Sequence, residues 1–146
     1  FIPLIEIKEF PKDQKIIEEN ESGDSLLFLL KGDISITKAL TLVTSKDEEN
    51  DNSEKELIRL KSEYNIAMGE LSLFSEEKKR SATVKTLTDC TIGYLSSKDF
   101  FKVCDTNKEI GYIVVSNIAH IVSENLIKSN KDVLKLTTAF SLIMSK

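Results

Sequence analysis

Several residue types are scarce in this chain of 146 residues: one histidine, His120, two cysteines, two prolines, five glycines and no tryptophan. A single histidine leaves most imidazole-based catalysis without its usual group. Cys90 and Cys104 are too few, and wrongly spaced, for a metal cluster or a disulfide framework, so no metal site is expected. Two reduced thiols suit a cytoplasmic protein. No stretch approaches the roughly 18–20 continuous apolar residues of a membrane span, and no signal-peptide pattern opens the chain, so the sequence predicts no membrane partner. Nor is there an excess of basic charge. Twenty Lys and Arg stand against 24 Asp and Glu, a net charge of −4, which gives no general attraction to nucleic acid or anionic lipid. What is present is a 40% hydrophobic fraction with 30% charged residues, enough apolar material for one core. The chain begins with Phe1 rather than Met, which is the expected mark of a piece of a longer protein.

From Phe1 to about Leu95 the texture is that of short strands. Ile2, Leu4, Ile7 and Phe10 are scattered along a segment broken by Pro3 and Pro11. Ile16-Ile17 follows, then the polar turn Glu21-Ser22-Gly23-Asp24. The apolar run Leu26 to Leu30 stops at Lys31-Gly32-Asp33, after which Ile34 and Ile36 alternate with polar residues. Two such runs around a glycine turn predict a hairpin. Short strands at this spacing predict a sandwich or barrel rather than βαβ units. Residues 46–56 hold six acids and two lysines and read as a solvated loop. Leu57, Ile58 and Leu60 resume a strand, and residues 83–86 and 91–95 give two more, joined by a turn at 87–89.

The pattern then turns helical. Ser96 with Asp99 three residues on is a variant capping box, ahead of a short helix carrying Phe100, Phe101, Val103 and Cys104. Thr106 with Glu109 is a full capping box, predicting a second helix that starts there and can run to Lys146, about 60 Å. Along it Ala119, Val122, Leu126, Ser129, Val133, Leu136, Phe140 and Ile143 alternate at gaps of three and four. That seam predicts a homodimer joined through residues 119–143.

The stretch from Gly69 to Val84 carries the chemistry. Gly69 allows a close backbone approach, and a helical turn is expected at Glu70 to Phe74, its free N–H groups open to an anion. Arg80 is a fork of donors suited to a phosphate, with the hydroxyl of Ser81 beside it. Glu70 repels a phosphate but can accept hydrogen bonds from sugar hydroxyls. A phosphate and a ribose diol in one cassette describe a nucleotide. Residues of the Glu, Arg and Ser type, with no base or metal constellation, bind phosphate without attacking it, so no catalytic residue and no enzyme activity are expected.

The segments Met68-Gly69-Glu70-Leu71-Ser72-Leu73-Phe74 and Lys79-Arg80-Ser81-Ala82-Thr83-Val84 resemble the phosphate-binding cassette of the cyclic-nucleotide-binding domain family. That family includes bacterial catabolite activator proteins and protein kinase A regulatory subunits. Its pattern is roughly F-G-E-L-A-L, a few residues, then P-R-S-A-T-V. The resemblance extends to Gly23-Asp24-Ser25, Lys31-Gly32, Thr88-Asp89-Cys90 and the helices after Asp99. Lys79 stands where proline is usual, and residues 63–68 lack the glycine and the aromatic that usually precede the motif.

The resemblance implies a mainly β (α+β) fold: a β jelly-roll barrel with a short helical phosphate-binding cassette and two C-terminal helices, the last one long. Residues 1–106 would form the nucleotide-binding domain and 107–146 the dimerisation helix of the same module. It places Glu70 on the ribose 2′-hydroxyl and Arg80 on the cyclic phosphate, joined by Ser81. Backbone groups of Gly69, Leu71, Ser72 and Ala82 would complete the cradle, and Asn125 of the long helix would reach the base. No cofactor is implied; the ligand is cAMP or cGMP. The implied function is a cytoplasmic sensor signalling through its C-terminal helix and dimer, similar to small stand-alone bacterial members, with no direct nucleic-acid binding by this chain. The alternative is the ligand-binding part of a catabolite-activator-type transcription regulator whose DNA-binding domain lies outside this chain.

Overall fold

In a computed structural model that describes residues 2–39, 54–64 and 66–145, the strand-rich and helical parts follow in the expected order. The strands are β1 (Glu6–Phe10), β2 (Lys15–Ile17), β3 (Ser25–Lys31), β4 (Asp33–Ala39), β5 (Glu54–Lys61), β6 (Ala67–Met68), β7 (Thr83–Thr86) and β8 (Cys90–Ser96). The helices are α1 (Glu70–Phe74), α2 (Ser97–Thr106) and α3 (Lys108–Met144). Among the described residues the strands form two antiparallel four-stranded sheets, ordered β1-β8-β3-β6 and β2-β7-β4-β5. Leu27, Leu29, Met68, Cys90 and Ile92 of the first sheet meet Ile17, Ile34 and Val84 of the second in one buried core. This is the rolled, mainly β architecture that the strand spacing foretells.

Three local expectations are corrected. Leu26 to Leu30 and Ile34 to Ile36 do not form a hairpin: β3 pairs with β8 and β6, whereas β4 pairs with β5 and β7. Gly32 alone separates β3 from β4, too short for a hairpin loop, and at φ +94° it turns a corner between the sheets. A Cβ there would sit 2.6 Å from the Asp89 carbonyl oxygen and from Cys90 Sγ. The acidic loop expected over 46–56 is shortened at its end, because Glu54 to Glu56 already pair with Ala39 to Thr37; its residues 46–53 lie outside the described residues. The cap of the long helix is Asn107, whose side-chain oxygen accepts from Ile110 N at 3.1 Å. Thr106 is the last residue of α2 and donates its hydroxyl to Lys102 O at 2.7 Å.

The other cap is as read. Ser96 Oγ accepts from Asp99 N at 3.1 Å and donates to Asp99 Oδ2 at 2.8 Å, so the end of β8 also starts α2. Both cysteines are free: Cys90 is buried in β8, and Cys104 is half-buried in α2. By contacts the chain divides into two compact units, Phe1–Phe101 and Lys102–Lys146. The second contains α3, which at 37 residues is about 55 Å long. Its continuous apolar runs are short, yet over 18 residues its mean hydropathy reaches 1.3, so by length and composition it is apolar enough to cross a membrane. His120, Glu124 and Asn125 interrupt it, and His120 Nε2 lies 3.3 Å from Glu124 Oε1 on the exposed surface.

Candidate ligand-binding site

The cassette is built where β6 ends. Gly69 takes the left-handed conformation, φ 87° and ψ 11°, and from it the chain enters α1. A side chain on Gly69 would collide with Arg80 Nη1 and lie 2.8 Å from the Ser25 carbonyl oxygen, so only glycine lets the turn reach the guanidinium. Glu70, the first residue of α1, is half-buried, and Leu71 is exposed on its outer face. Ser72 and Leu73 face inward.

Arg80 reaches the same point from the other side. The loop before β3 clasps its backbone: Arg80 N donates to Glu21 O, Asn20 N donates to Arg80 O, and Gly23 N donates to Lys78 O. Ser22 and Lys79 form an antiparallel bridge beside this clasp. Thr83 Oγ1 accepts from Glu19 N at 3.0 Å and extends the seam to β7. The clasp directs the Arg80 side chain inward, where only 7% of the residue is exposed. Its Nη1 donates to Ser25 O at 2.9 Å and to Ser72 Oγ at 2.8 Å, and its Nη2 donates to Ser25 Oγ at 3.1 Å. Among the described residues Nε is buried with no acceptor. A side chain on Gly23 would collide with Arg80 Nε and Cζ.

The electrostatics are those of a cation taken out of water. Burial lowers the pKa of Arg80 from its ordinary value, and the charges of Glu21, Asp24, Tyr94 and Glu70, in that order of strength, oppose the shift. The same burial raises the Tyr94 phenol, which Arg80 partly offsets. The atoms that accept from the guanidinium are neutral oxygens of Ser25 and Ser72. A guanidinium buried among neutral acceptors is a cation with no anion hydrogen-bonded to it among the described residues, an arrangement that can attract one.

Residues 7–107 match the cyclic nucleotide-binding domain family. The chain belongs to this family. It is 30% identical over 119 residues to the cAMP-activated global transcriptional regulator CRP of Haemophilus influenzae, covering 82% of this chain and 48% of that protein. The chain thus spans about half the length of the curated relatives it matches. Among solved structures it is similar to the Thermus thermophilus catabolite activator protein, with a TM-score of 0.77 and 18% identity over 93% of this chain and 56% of that one. The regulatory domain of Toxoplasma gondii PKA, solved with cAMP, shares the fold at a TM-score of 0.57 and 22% identity, covering 69% and 34% of the two chains.

Within this cyclic nucleotide-binding domain, Gly69, Glu70, Ser72 and Arg80 come together around the guanidinium. Ser81 follows Arg80 on the exposed surface, and Ala82 is half-buried as the chain enters β7. Asn125 lies on an exposed face of α3, in the second compact unit. Three contributors escaped the sequence reading: the carbonyl and hydroxyl of Ser25, the bare α-carbon of Gly23, and the side chain, rather than the backbone, of Ser72. The signal was present in Gly23-Asp24-Ser25, small and polar residues immediately before a buried apolar strand. One further contact leads out of the cassette. Phe74, at the end of α1, stacks edge-to-face on Phe100 and Phe101 of α2, with ring centroids 6.3 and 5.9 Å away.

Proposed function

We propose that this chain binds a cyclic nucleotide, cAMP or cGMP, as a regulatory sensor and not as an enzyme, with Arg80 pairing the cyclic phosphate. The observation that carries the reading is the Arg80 guanidinium, buried and held by neutral oxygens of Ser25 and Ser72 beside the Gly69 turn. Glu70 accepts from the ribose 2′-hydroxyl, and Ser81, Ala82 and the backbone of Gly69, Leu71 and Ser72 line the rest. Asn125 is the base-contacting candidate. No metal is needed for binding of this kind. Occupancy passes from Phe74 to Phe100 and Phe101 of α2. The exposed apolar seam of α3 supports a homodimer through residues 119–143. Free thiols and kinship with a transcriptional regulator support a cytoplasmic setting.

Calorimetry against cAMP, cGMP and cyclic dinucleotides tests the ligand. Arg80→Ala is expected to weaken binding at least tenfold, since a charge-assisted hydrogen bond contributes about 1.5–3 kcal/mol. Unchanged affinity in a folded variant would remove Arg80 from the site. A second reading has its own support: the match to about half of a transcriptional regulator suits the ligand-binding part of such a protein, its DNA-binding domain lying outside this chain. The length of the natural gene product separates the two.

A further inference from the structure

The hydroxyl of Ser72 is buried, with 2% of the residue exposed, and it is committed on both sides. It donates its one proton to Gly69 O at 2.7 Å, so toward Arg80 Nη1, at 2.8 Å, it can act only as an acceptor. The other Nη1 proton goes to Ser25 O and one Nη2 proton to Ser25 Oγ. Ser72 therefore ties the turn at Gly69 to a guanidinium eight positions along the chain. Serine stands here where the family pattern has alanine, which would leave Nη1 of a buried cation short of one acceptor. We propose that Ser72 is a positioning residue, its hydroxyl holding the Arg80 guanidinium in the one orientation in which it meets the cyclic phosphate.

This rests on the reading that Arg80 pairs the phosphate, and the test separates the two. A fixed guanidinium distinguishes the two exocyclic phosphate oxygens, and a loosened one does not. The full chain, Ser72→Ala, Arg80→Ala and the double variant are titrated calorimetrically with cAMP and with its Rp and Sp phosphorothioates. The sequence has two arginines, Arg59 and Arg80, so nitrogen-15 spectra of the Nε–H groups follow Arg80 directly. Ser72→Ala is expected to weaken cAMP binding about tenfold, to narrow the Rp-to-Sp ratio, and to speed proton exchange at Arg80 Nε. In the Arg80→Ala background it should cost nothing more. Ser72→Cys, with a weaker acceptor, should fall between wild type and Ser72→Ala in each reading. An equal loss in both backgrounds, or an unchanged ratio and exchange rate in Ser72→Ala, overturns the positioning role while leaving the phosphate site standing. Wild-type cAMP affinity in Arg80→Ala overturns both.

Discussion

Two charged side chains of opposite sign share the cassette, and their environments divide the work. Arg80 is buried and loses solvation, whereas Glu70 is half-buried at the start of α1 and its charge favours protonated Arg80. On the proposed reading, in which Arg80 pairs the phosphate, Glu70 is left for neutral donors on the sugar. Glu70→Gln is then expected to erode the preference for cAMP over 2′-deoxy-cAMP more than it weakens the phosphate contact; a ratio equal to wild type would take the ribose from Glu70. That Gly69, Glu70 and Arg80 come together was legible because the two segments that carry them are close in sequence and their residue types are unusual together. The contact with Ser25 was not, although the triplet Gly23-Asp24-Ser25 stood out, because it lies 55 positions from Arg80 and a serine before a strand has many other uses. The role of Gly23 became visible only through the guanidinium pressed against its α-carbon.

At the scale of elements, signals that act within one turn could be read, and signals that depend on a third segment could not. The Ser96 and Asp99 cap is local and is present as expected. The second cap moved by one residue because Thr106 satisfies its hydroxyl on Lys102 O inside α2, leaving Asn107 to open α3. Gly111 shows why the junction is tight: a Cβ there would lie 2.8 Å from Cys104 O. Asn107→Ala is expected to loosen the first turn of α3 by about 1 kcal/mol, read as faster amide exchange at Ile110, with Asn107→Ser close to wild type. The mistaken hairpin has the complementary cause. Runs at 26–30 and 34–36 carry the correct strand pattern, but their partners come from elsewhere in the chain: β3 lies beside β8 and β6 in one sheet, and β4 beside β7 and β5 in the other.

For the whole molecule, the exposed apolar seam of α3 bears on assembly. Leu126, Leu136 and Phe140 are 60%, 71% and 65% exposed, a stripe that water solvates poorly and a second copy would cover. Leu126→Lys combined with Leu136→Lys is expected to yield monomers by light scattering; a persistent dimer would place the contact elsewhere. The sheet order has a different consequence, for the sequence of events during synthesis. β1 pairs Glu6 with Tyr94, β2 pairs Lys15 with Lys85, and β3 pairs Ser25 with Ser96. The first three strands leave the ribosome many residues before these partners, at about 5–20 residues per second. For some seconds Leu26 to Leu30, an apolar strand, has neither β8 nor β6 beside it, which exposes the nascent chain to misassembly and makes folding wait on its later half. A chain ended at Asp89 is expected to show no cooperative thermal transition, whereas one ended at Thr106, with β8 restored, should melt cooperatively.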